Sequence, residues 1–189
     1  IAESQMMKET ESIVHLHLDF LPLTTNAFIV EGNALRFDWK ELIAPDELSY
    51  IMGNPPFVGK KEQNPEQKND LKRIFKNTKG AGNLDYVCSW YRRAVDYMKC
   101  CPAVHTAFVS TNSITQGEQV PILWGNLYKD GVVIDFAYRT FKWSSESNEK
   151  AAVHCVILGF SVGDVNRPKI IYGGASPQIV QNINPYLVD

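Results

Sequence analysis

The segment Asn54-Pro55-Pro56-Phe57 contains the residues of this sequence best suited to chemistry. The Asn54 side-chain oxygen and the Pro55 carbonyl are hydrogen-bond acceptors. The paired prolines hold the backbone rigid, because each fixes its own φ and restricts the residue before it. Two acceptors directed at the N–H bonds of an amine on an aromatic ring draw its nitrogen toward tetrahedral geometry and free the lone pair. Phe57 offers a flat face for stacking on a flipped base. The segment therefore suits direct methylation of such an amine by a sulfonium donor, without a covalent enzyme intermediate.

The residues just before this segment must position it. The run Tyr50-Ile51-Met52 predicts a strand that Gly53 ends, and open α/β sheets bind ligands at the carboxyl ends of their strands. A simple loop with two prolines after a strand would have the same local composition. The neighbouring segments therefore decide between the two interpretations.

Apolar runs and helical periodicity predict an α/β protein. Predicted strands cover residues 27–30, 50–52, 106–110, 132–138, 152–158 and 169–172, and predicted helices cover 2–9, 67–75, 84–98 and 119–128. The clearest helix has one apolar face at i, i+3, i+4 spacing, formed by Leu84, Val87, Cys88, Tyr91, Ala94, Val95 and Met98. Asn83 is predicted to cap it. This order favours a mostly parallel sheet, and the consecutive strands at 132–138 and 152–158 predict an antiparallel hairpin at one edge.

The composition excludes several classes of protein. With 189 residues, 44% of them apolar, the chain can bury a real core. A net charge of −2 excludes a uniformly basic surface, so any nucleic-acid contact must come from a local patch. The four cysteines form no C-x-x-C pair and no cluster with zinc-ligand spacing, which predicts no metal site and a reducing, cytoplasmic location. No apolar run approaches the roughly 18 residues of a membrane span.

A local basic patch does exist directly after the proline pair. Residues 60–79 contain seven Lys and Arg against three acidic residues, a net charge of +4. Lys72, Arg73 and Lys76 are the candidates for contact with a phosphate backbone. An ordinary solvated insertion would have the same composition, so both interpretations stay open.

The wider run Gly53-Asn54-Pro55-Pro56-Phe57-Val58-Gly59 resembles the signature of amino-methylating DNA methyltransferases, chiefly those of adenine N6. It also resembles the corresponding run of large bacterial restriction–modification enzymes that carry nuclease, methyltransferase and target-recognition regions on one polypeptide. Further segments resemble this family in the same order: Gly32-Asn33-Ala34-Leu35 with Asp38-Trp39, Asp85-Tyr86, Thr111-Asn112-Ser113, Phe141-Lys142-Trp143 with Ala152-Val153-His154-Cys155-Val156-Ile157, and Asn184-Pro185-Tyr186-Leu187-Val188.

The resemblance implies a Rossmann-like class I fold that uses S-adenosylmethionine, with double-stranded DNA carrying a flipped adenine as partner. It implies that Asn54, Pro55, Pro56 and Phe57 are catalytic. It further implies that Asn33, Ala34 and Asp85 bind the cofactor, and that Phe141 or Trp143 stacks on the second face of the base.

The family also has segments that this sequence lacks. Its glycine-rich cofactor loop and its ribose-binding acid belong before residue 1. We therefore expect a methyltransferase fold truncated on its N-terminal side, in which residues 1–162 are the C-terminal portion of the catalytic domain and residues 163–189 begin the target-recognition region. The isolated chain is expected to have an incomplete donor site, weak or absent cofactor binding, and an exposed sheet edge at which a homodimer can form.

Other functions are weighed by their signatures. Cytosine-C5 methylation needs a Pro-Cys nucleophile and a nicotinamide dehydrogenase needs G-x-G-x-x-G; the sequence has neither. Cytosine-N4 methylation, usually with Ser in place of Asn54, and protein glutamine methylation, usually with Tyr in place of Phe57, use the same chemistry and stay open. A non-catalytic scaffold or base-binding remnant is the alternative of a different class.

Overall fold

The computed structural model describes residues 29–143, 153–163 and 167–189. Residues 32–189 form one compact unit. The predicted helix at 2–9 and the first half of the predicted strand at 27–30 lie outside the described residues. Ile29 and Val30, the other half of that strand, are exposed and not in a strand. The prediction of a buried strand is therefore wrong for these two residues, since an apolar β-branched run becomes a strand only where a partner can pair with it.

The described chain contains six strands and four α-helices. The strands are β1 (Tyr50–Gly53), β2 (His105–Thr111), β3 (Val132–Trp143), β4 (Val153–Val162), β5 (Lys169–Tyr172) and β6 (Gln178–Val180). The helices are α1 (Trp39–Leu42), α2 (Pro65–Ile74), α3 (Cys88–Met98) and α4 (Gln119–Leu127), with short 3-10 turns at Pro45–Glu47, Ala81–Asn83, Asn112–Thr115 and Tyr128–Asp130. The α/β class and all but the first predicted strand are confirmed. Among the described residues, every helix falls short of the length and apolar character that a membrane-spanning helix requires.

The six strands form one mixed sheet in the order β1-β2-β4-β3-β5-β6. The β1–β2 and β3–β5 pairs are parallel, and the β2–β4, β3–β4 and β5–β6 pairs are antiparallel. The prediction of a mostly parallel sheet is therefore wrong for the described part of the chain. The β3–β4 hairpin exists, but it is not at an edge: β4 pairs with β2 on one side, and β5 returns beside β3 on the other.

The main core lies between α3 and one face of the sheet. Tyr91 of α3 packs on Phe108 of β2 and Phe160 of β4, with ring centroids 5.3 and 5.1 Å apart. Its hydroxyl is buried and shares a 2.8 Å hydrogen bond with Ser110. Alternate residues of β2, including Phe108 and Ser110, point into this core. A one-residue slip of β2 would turn all of them to the opposite face, so this packing fixes the position of its carboxyl end.

Helix α3 begins later than the periodicity predicts. The predicted apolar face is confirmed, since all of its residues from Leu84 to Met98 are buried. The helix nevertheless begins at Cys88, and the prediction that Asn83 caps it is wrong. Leu84 and Tyr86 instead use their backbone groups to bind the loop that follows β1. Asn83 ends the preceding 3-10 turn.

Candidate functional site

The Asn54–Phe57 segment leaves the carboxyl end of β1, where Gly53 lies opposite Phe108 of β2. Pro55 is buried, whereas Asn54 and Pro56 are exposed. Phe57 is half-buried and packs against the main core. The exposed Asn54 carboxamide is thus carried by a backbone that is anchored on both sides, which is the arrangement that the chemistry of this segment needs.

The loop after Phe57 is fastened to the residues before α3. The Tyr86 backbone N–H donates to the Val58 carbonyl at 2.9 Å. The Gln63 side-chain amide donates to the Leu84 carbonyl at 2.9 Å and to the Val58 carbonyl at 3.4 Å. Gln63 is buried, so these bonds are shielded from competition with water. They hold the segment containing Asn54 against the body of the protein.

Asp85 connects the same loop to the end of β2. Its Oδ2 accepts from the Ser113 hydroxyl at 2.5 Å, and its Oδ1 accepts from the Lys60 backbone N–H at 3.3 Å. Ser113 also shares a 2.8 Å hydrogen bond with Thr111, the last residue of β2. Both carboxylate oxygens therefore bind protein groups. The cofactor contact that the resemblance implies for Asp85 stays a prediction, and its position makes it a bridge between two segments.

Ala34 and the first three residues of the Asn54–Phe57 segment line the same cavity. Its volume is about 480 Å³, within the size range of roughly 300–1,000 Å³ that is typical of ligand sites. Aromatic residues make up much of the remaining wall, namely Phe37, Trp39, Tyr50, Trp90, Tyr97 and Phe108. The cavity thus brings together Ala34 with Asn54, Pro55 and Pro56, whereas Asn33, Phe57 and Asp85 are not among the residues that line it.

Asn33 forms the turn that carries Ala34. Its side-chain oxygen accepts from the Leu35 N–H at 2.9 Å, and its side-chain nitrogen donates to Asp70 of α2 at 3.3 Å. The Ala34 carbonyl accepts from the Trp39 indole N–H at 2.7 Å. The predicted role of Asn33 beside the cofactor stays a prediction, and its amide is already oriented by protein groups.

Asp70 is a buried carboxylate at the centre of a polar cluster. It accepts from Arg36 at 3.0 Å, from Arg73 at 3.2 Å and from the Tyr86 hydroxyl at 3.0 Å, in addition to Asn33. Burial alone would raise the pKa of Asp70, but the hydrogen bonds from Arg36 and Tyr86 outweigh it, so that the pKa lies below its ordinary value. The same burial raises the pKa of the Tyr86 hydroxyl. Asp70 is therefore ionised at neutral pH.

The predicted stacking residues lie at the same end of the sheet as Asn54. Phe141 pairs with Cys155 of β4, and Cys155 pairs with Thr111 of β2. Three strand spacings, about 14 Å, separate β1 from β3 across the sheet. Phe141 and Trp143 have ring centroids 6.2 Å apart, and Trp143 is 44% exposed. Their stacking on a base stays a prediction.

The predicted phosphate-binding residues lie on or next to α2. Lys72 and Lys76 are exposed. Arg73 is half-exposed and already donates to the Leu35 carbonyl at 2.8 Å and to Asp70 at 3.2 Å. A guanidinium paired in this way attracts a phosphate less than a free one. The prediction for all three residues remains untested.

Sequence reasoning missed Gln63 and Asp70. A local signal existed for the helix that carries Asp70, because Asn64 and Gln67 form a reciprocal capping box at its start. Asp70 stands next to Leu71 on the buried side of that helix. No spacing rule reveals that its partners would be residues 33, 36 and 86. Among the described residues, no group of three or more His, Cys, Asp and Glu side chains could hold a metal ion, and the absence of a metal site stays a prediction.

Comparison with known proteins identifies the family. The family model "MmeI, DNA-methyltransferase domain" matches residues 1–173. The protein "DNA methyltransferase A" of Bacillus subtilis (strain 168) is 43% identical over 192 residues, covering 100% of this chain and 22% of its own length. The structure of the Type IIL restriction-modification enzyme MmeI in complex with DNA superposes with a TM-score of 0.84 at 44% identity, over 98% of this chain and 25% of that one.

The DrdV–DNA complex is less similar, at 18% identity and a TM-score of 0.47 over 72% of this chain and 15% of that one. The chain thus spans a quarter or less of the length of these relatives. The match of the family model over most of the sequence, and the identity above 40% across all of it, are sufficient to assign the family. The chain belongs to the MmeI family of DNA-methyltransferase domains of restriction–modification enzymes.

Proposed function

We propose that this chain is the target-amine-binding part of an S-adenosylmethionine-dependent DNA methyltransferase that acts on adenine N6 and has a Rossmann-like class I fold. The observation that carries the proposal is the exposed Asn54 side chain, which follows β1 on an anchored, proline-braced backbone and opens on the cavity beside Ala34. The mixed sheet with its helices supports the fold assignment.

Each residue of the Asn54–Phe57 segment has its own role in methyl transfer. The Asn54 side-chain oxygen and the Pro55 carbonyl accept the two N–H bonds of the adenine amine, which directs its lone pair toward the methyl group. Pro56 keeps both acceptors in place, and Phe57 stacks on the flipped base. After transfer, the surplus proton leaves the nitrogen for solvent, which reaches the exposed Asn54 side chain.

The aromatic cavity fits a methyl donor that contains a purine. Its walls are largely apolar, its volume is about 480 Å³, and Asn54, Pro55 and Pro56 line it. Ala34 and the aromatic residues around it would hold the donor, with Asn33 on the turn behind Ala34. S-adenosylmethionine, when bound, supplies a methyl group made electrophilic by its sulfonium. The contact implied for Asp85 would have to come from a carboxylate that also binds Ser113 and Lys60.

Double-stranded DNA is the proposed partner, at the end of the sheet where Asn54, Phe141 and Trp143 lie. Lys72 and Lys76 present charge for its phosphates on the α2 side. The division between a catalytic portion (1–162) and a target-recognition region (163–189) stays a prediction, and β5, which follows that boundary, pairs with β3 in the same sheet. The cytoplasmic location stays a prediction.

The predicted homodimer would use β1, which has one strand partner among the described residues. Its Tyr50 and Met52 side chains are 66% and 79% exposed. Pairing of two such edges is expected to give a dimer in sedimentation analysis. A monomer at all concentrations would contradict it.

Substitution of Asn54 by Ala in the full-length protein tests the function. Loss of one of two acceptors in the transition state is expected to reduce methyl transfer by about 100- to 1,000-fold, the range measured for single transition-state donors in other enzymes. The melting temperature should not change, because the Asn54 side chain is exposed. Asn69→Ala, an exposed amide on α2, is the matched control.

Mass spectrometry of nucleosides and of digested protein identifies the product of this reaction. N6-methyladenine supports the proposal, whereas N4-methylcytosine or methylglutamine would identify the alternative substrates. An Asn54→Ala variant as fast as the wild type would contradict the mechanism. A folded, DNA-binding wild type that methylates nothing would support the non-catalytic scaffold.

A further inference from the structure

Asp70 accepts hydrogen bonds from side chains that belong to three separate parts of the chain. Asn33 and Arg36 come from the turn before α1, Arg73 from the next turn of α2, and Tyr86 from the segment before α3. The side chain of Asp70 is only 5% exposed. A carboxylate is buried to this extent only where donors compensate for its lost hydration.

The bonds to Asp70 determine the position of one wall of the cavity. The Arg36 N–H donates to the Asn33 carbonyl at 2.8 Å, which closes the turn around Ala34. Asp70 holds both ends of this turn, since it accepts from the side chains of Asn33 and Arg36. Ala34, between them, lines the cavity together with Asn54.

The loop that follows Phe57 is connected to Asp70 through Tyr86. The Tyr86 hydroxyl donates to Asp70 at 3.0 Å, while the Tyr86 backbone N–H donates to the Val58 carbonyl at 2.9 Å. Val58 directly follows Phe57 in the sequence. One buried carboxylate therefore joins the Ala34 turn to the loop that carries the Asn54–Phe57 segment.

We propose that Asp70 is a positioning residue for the methyl donor, which sets the Asn33–Ala34 turn and the orientation of the Asn33 amide relative to Asn54. This inference rests on the proposed function, because it assigns the cavity to the donor. Asp70 itself does not line the cavity, so its effect on the donor must pass through Asn33 and Ala34.

Glu66 provides a matched control on the same helix. It lies one turn before Asp70 and also pairs with Arg36, at 3.1 Å. Its side chain is 76% exposed, compared with 5% for Asp70. Glu66→Gln and Asp70→Asn thus each remove one negative charge and weaken the contact with Arg36, and Asp70→Asn also weakens the contact with Arg73. Asn33 and Tyr86 bind Asp70 and not Glu66, so only the second substitution alters the proposed connection.

The test compares steady-state kinetics of the full-length wild type, Asp70→Asn and Glu66→Gln with varied S-adenosylmethionine. Asp70→Asn is expected to raise the KM for the donor by about 10-fold or more, as when a hydrogen bond to a charged group is lost, while kcat falls much less. Glu66→Gln should leave both within about twofold, as expected for an exposed ion pair. Calorimetry with S-adenosylhomocysteine provides a readout without turnover and should show the same weakening for Asp70→Asn.

A merely structural role would give a different pattern. Asp70→Asn would then lower the melting temperature and the amount of active enzyme but leave the donor KM of the active fraction unchanged, and that unchanged KM would overturn the proposal. If Asp70→Asn does not fold, Tyr86→Phe removes one donor to Asp70 and leaves its arginine pairs; it should raise the donor KM in the same direction by a smaller factor. An unchanged KM in Tyr86→Phe would also overturn it. A wild type that makes no N6-methyladenine would instead contradict the proposed function, while its affinity for S-adenosylhomocysteine would still test Asp70.

Discussion

Substitution of Asp85 by Asn is expected to slow methyl transfer without contact between residue 85 and the target amine. The substitution keeps the shape of the side chain but removes its charge and replaces one acceptor oxygen by a donor nitrogen. In the structure, the two Asp85 oxygens accept from Ser113 at 2.5 Å and from the Lys60 N–H at 3.3 Å. If the introduced nitrogen faces Lys60, the bond from that N–H is lost; if it faces Ser113, the hydroxyl must accept instead of donate. In both orientations the acceptor no longer carries a negative charge.

The size of the effect follows from the lost charge on the acceptor of these two bonds. A hydrogen bond to a charged group contributes about 1.5–3 kcal/mol. If the loop from Asn54 to Lys60 must recover this free energy to reach its active position, the reaction slows by roughly 10- to 150-fold. The Gln63 and Tyr86 bonds to Val58 remain, so the loop is loosened at Lys60 and kept at Val58.

Single-turnover transfer of a labelled methyl group to DNA measures this effect, because product release does not enter. Asp46→Asn, the same change at an exposed acid on the Pro45–Glu47 turn, is the control and should match the wild type. Asp85→Ala and Ser113→Ala should each slow the reaction, and their combination should be less than additive because the two share one bond. An Asp85→Asn variant within twofold of the wild type, with DNA and donor saturating, would refute the reasoning.

Two further predictions concern charge. In Lys72→Ala/Lys76→Ala, the slope of log affinity for DNA against log salt should become shallower by about 2, one unit per lost phosphate contact. The control Lys129→Ala, on the Tyr128–Asp130 turn, should keep the wild-type slope. An unchanged slope in the double variant would mean that α2 does not contact the phosphates. Burial alone would raise the pKa of Asp70 and of Asp130, but hydrogen bonds from Arg36 and Tyr86, and from Lys99 and Arg92, leave both pKa values lowered. The stability that these two carboxylates contribute to the fold is therefore complete above the ordinary carboxyl range and is lost as pH falls below about 4. Between pH 6 and pH 3, the melting temperature of Asp70→Asn should consequently fall less than that of the wild type. Equal falls would contradict this assignment.

Local patterns in the sequence were sufficient for most individual elements. The apolar face from Leu84 to Met98 predicted the buried side of α3, because helical periodicity needs no knowledge of the partner. The strand before Gly53 and the strand at residues 169–172 were confirmed for a similar reason. The beginning of α3 was wrong, because Leu84 and Tyr86 bind a loop more than 20 residues away in the sequence.

These local patterns did not predict the order of the strands in the sheet. The hairpin of β3 and β4 was predicted from the absence of a helix between them, but its place in the sheet depends on where the next strand returns. Because β5 pairs with β3, the hairpin lies in the interior of the sheet. Nothing in the four residues of β5 specifies that neighbour, since a short apolar run can pair with any open edge.

In the candidate site, too, some features follow from adjacent residues and others from contacts between residues that are far apart in the sequence. The two acceptors belong to the adjacent residues Asn54 and Pro55, and a sequence pattern can therefore reveal them. Their position depends on Gln63, Asp70 and Asp85, and each of these three binds at least one residue that lies 16 to 37 positions away. Substitutions at these three residues should therefore impair methyl transfer although none belongs to the Asn-Pro-Pro-Phe segment. The atoms that accept the amine thus come from adjacent residues, whereas the contacts that position them come from distant parts of the chain.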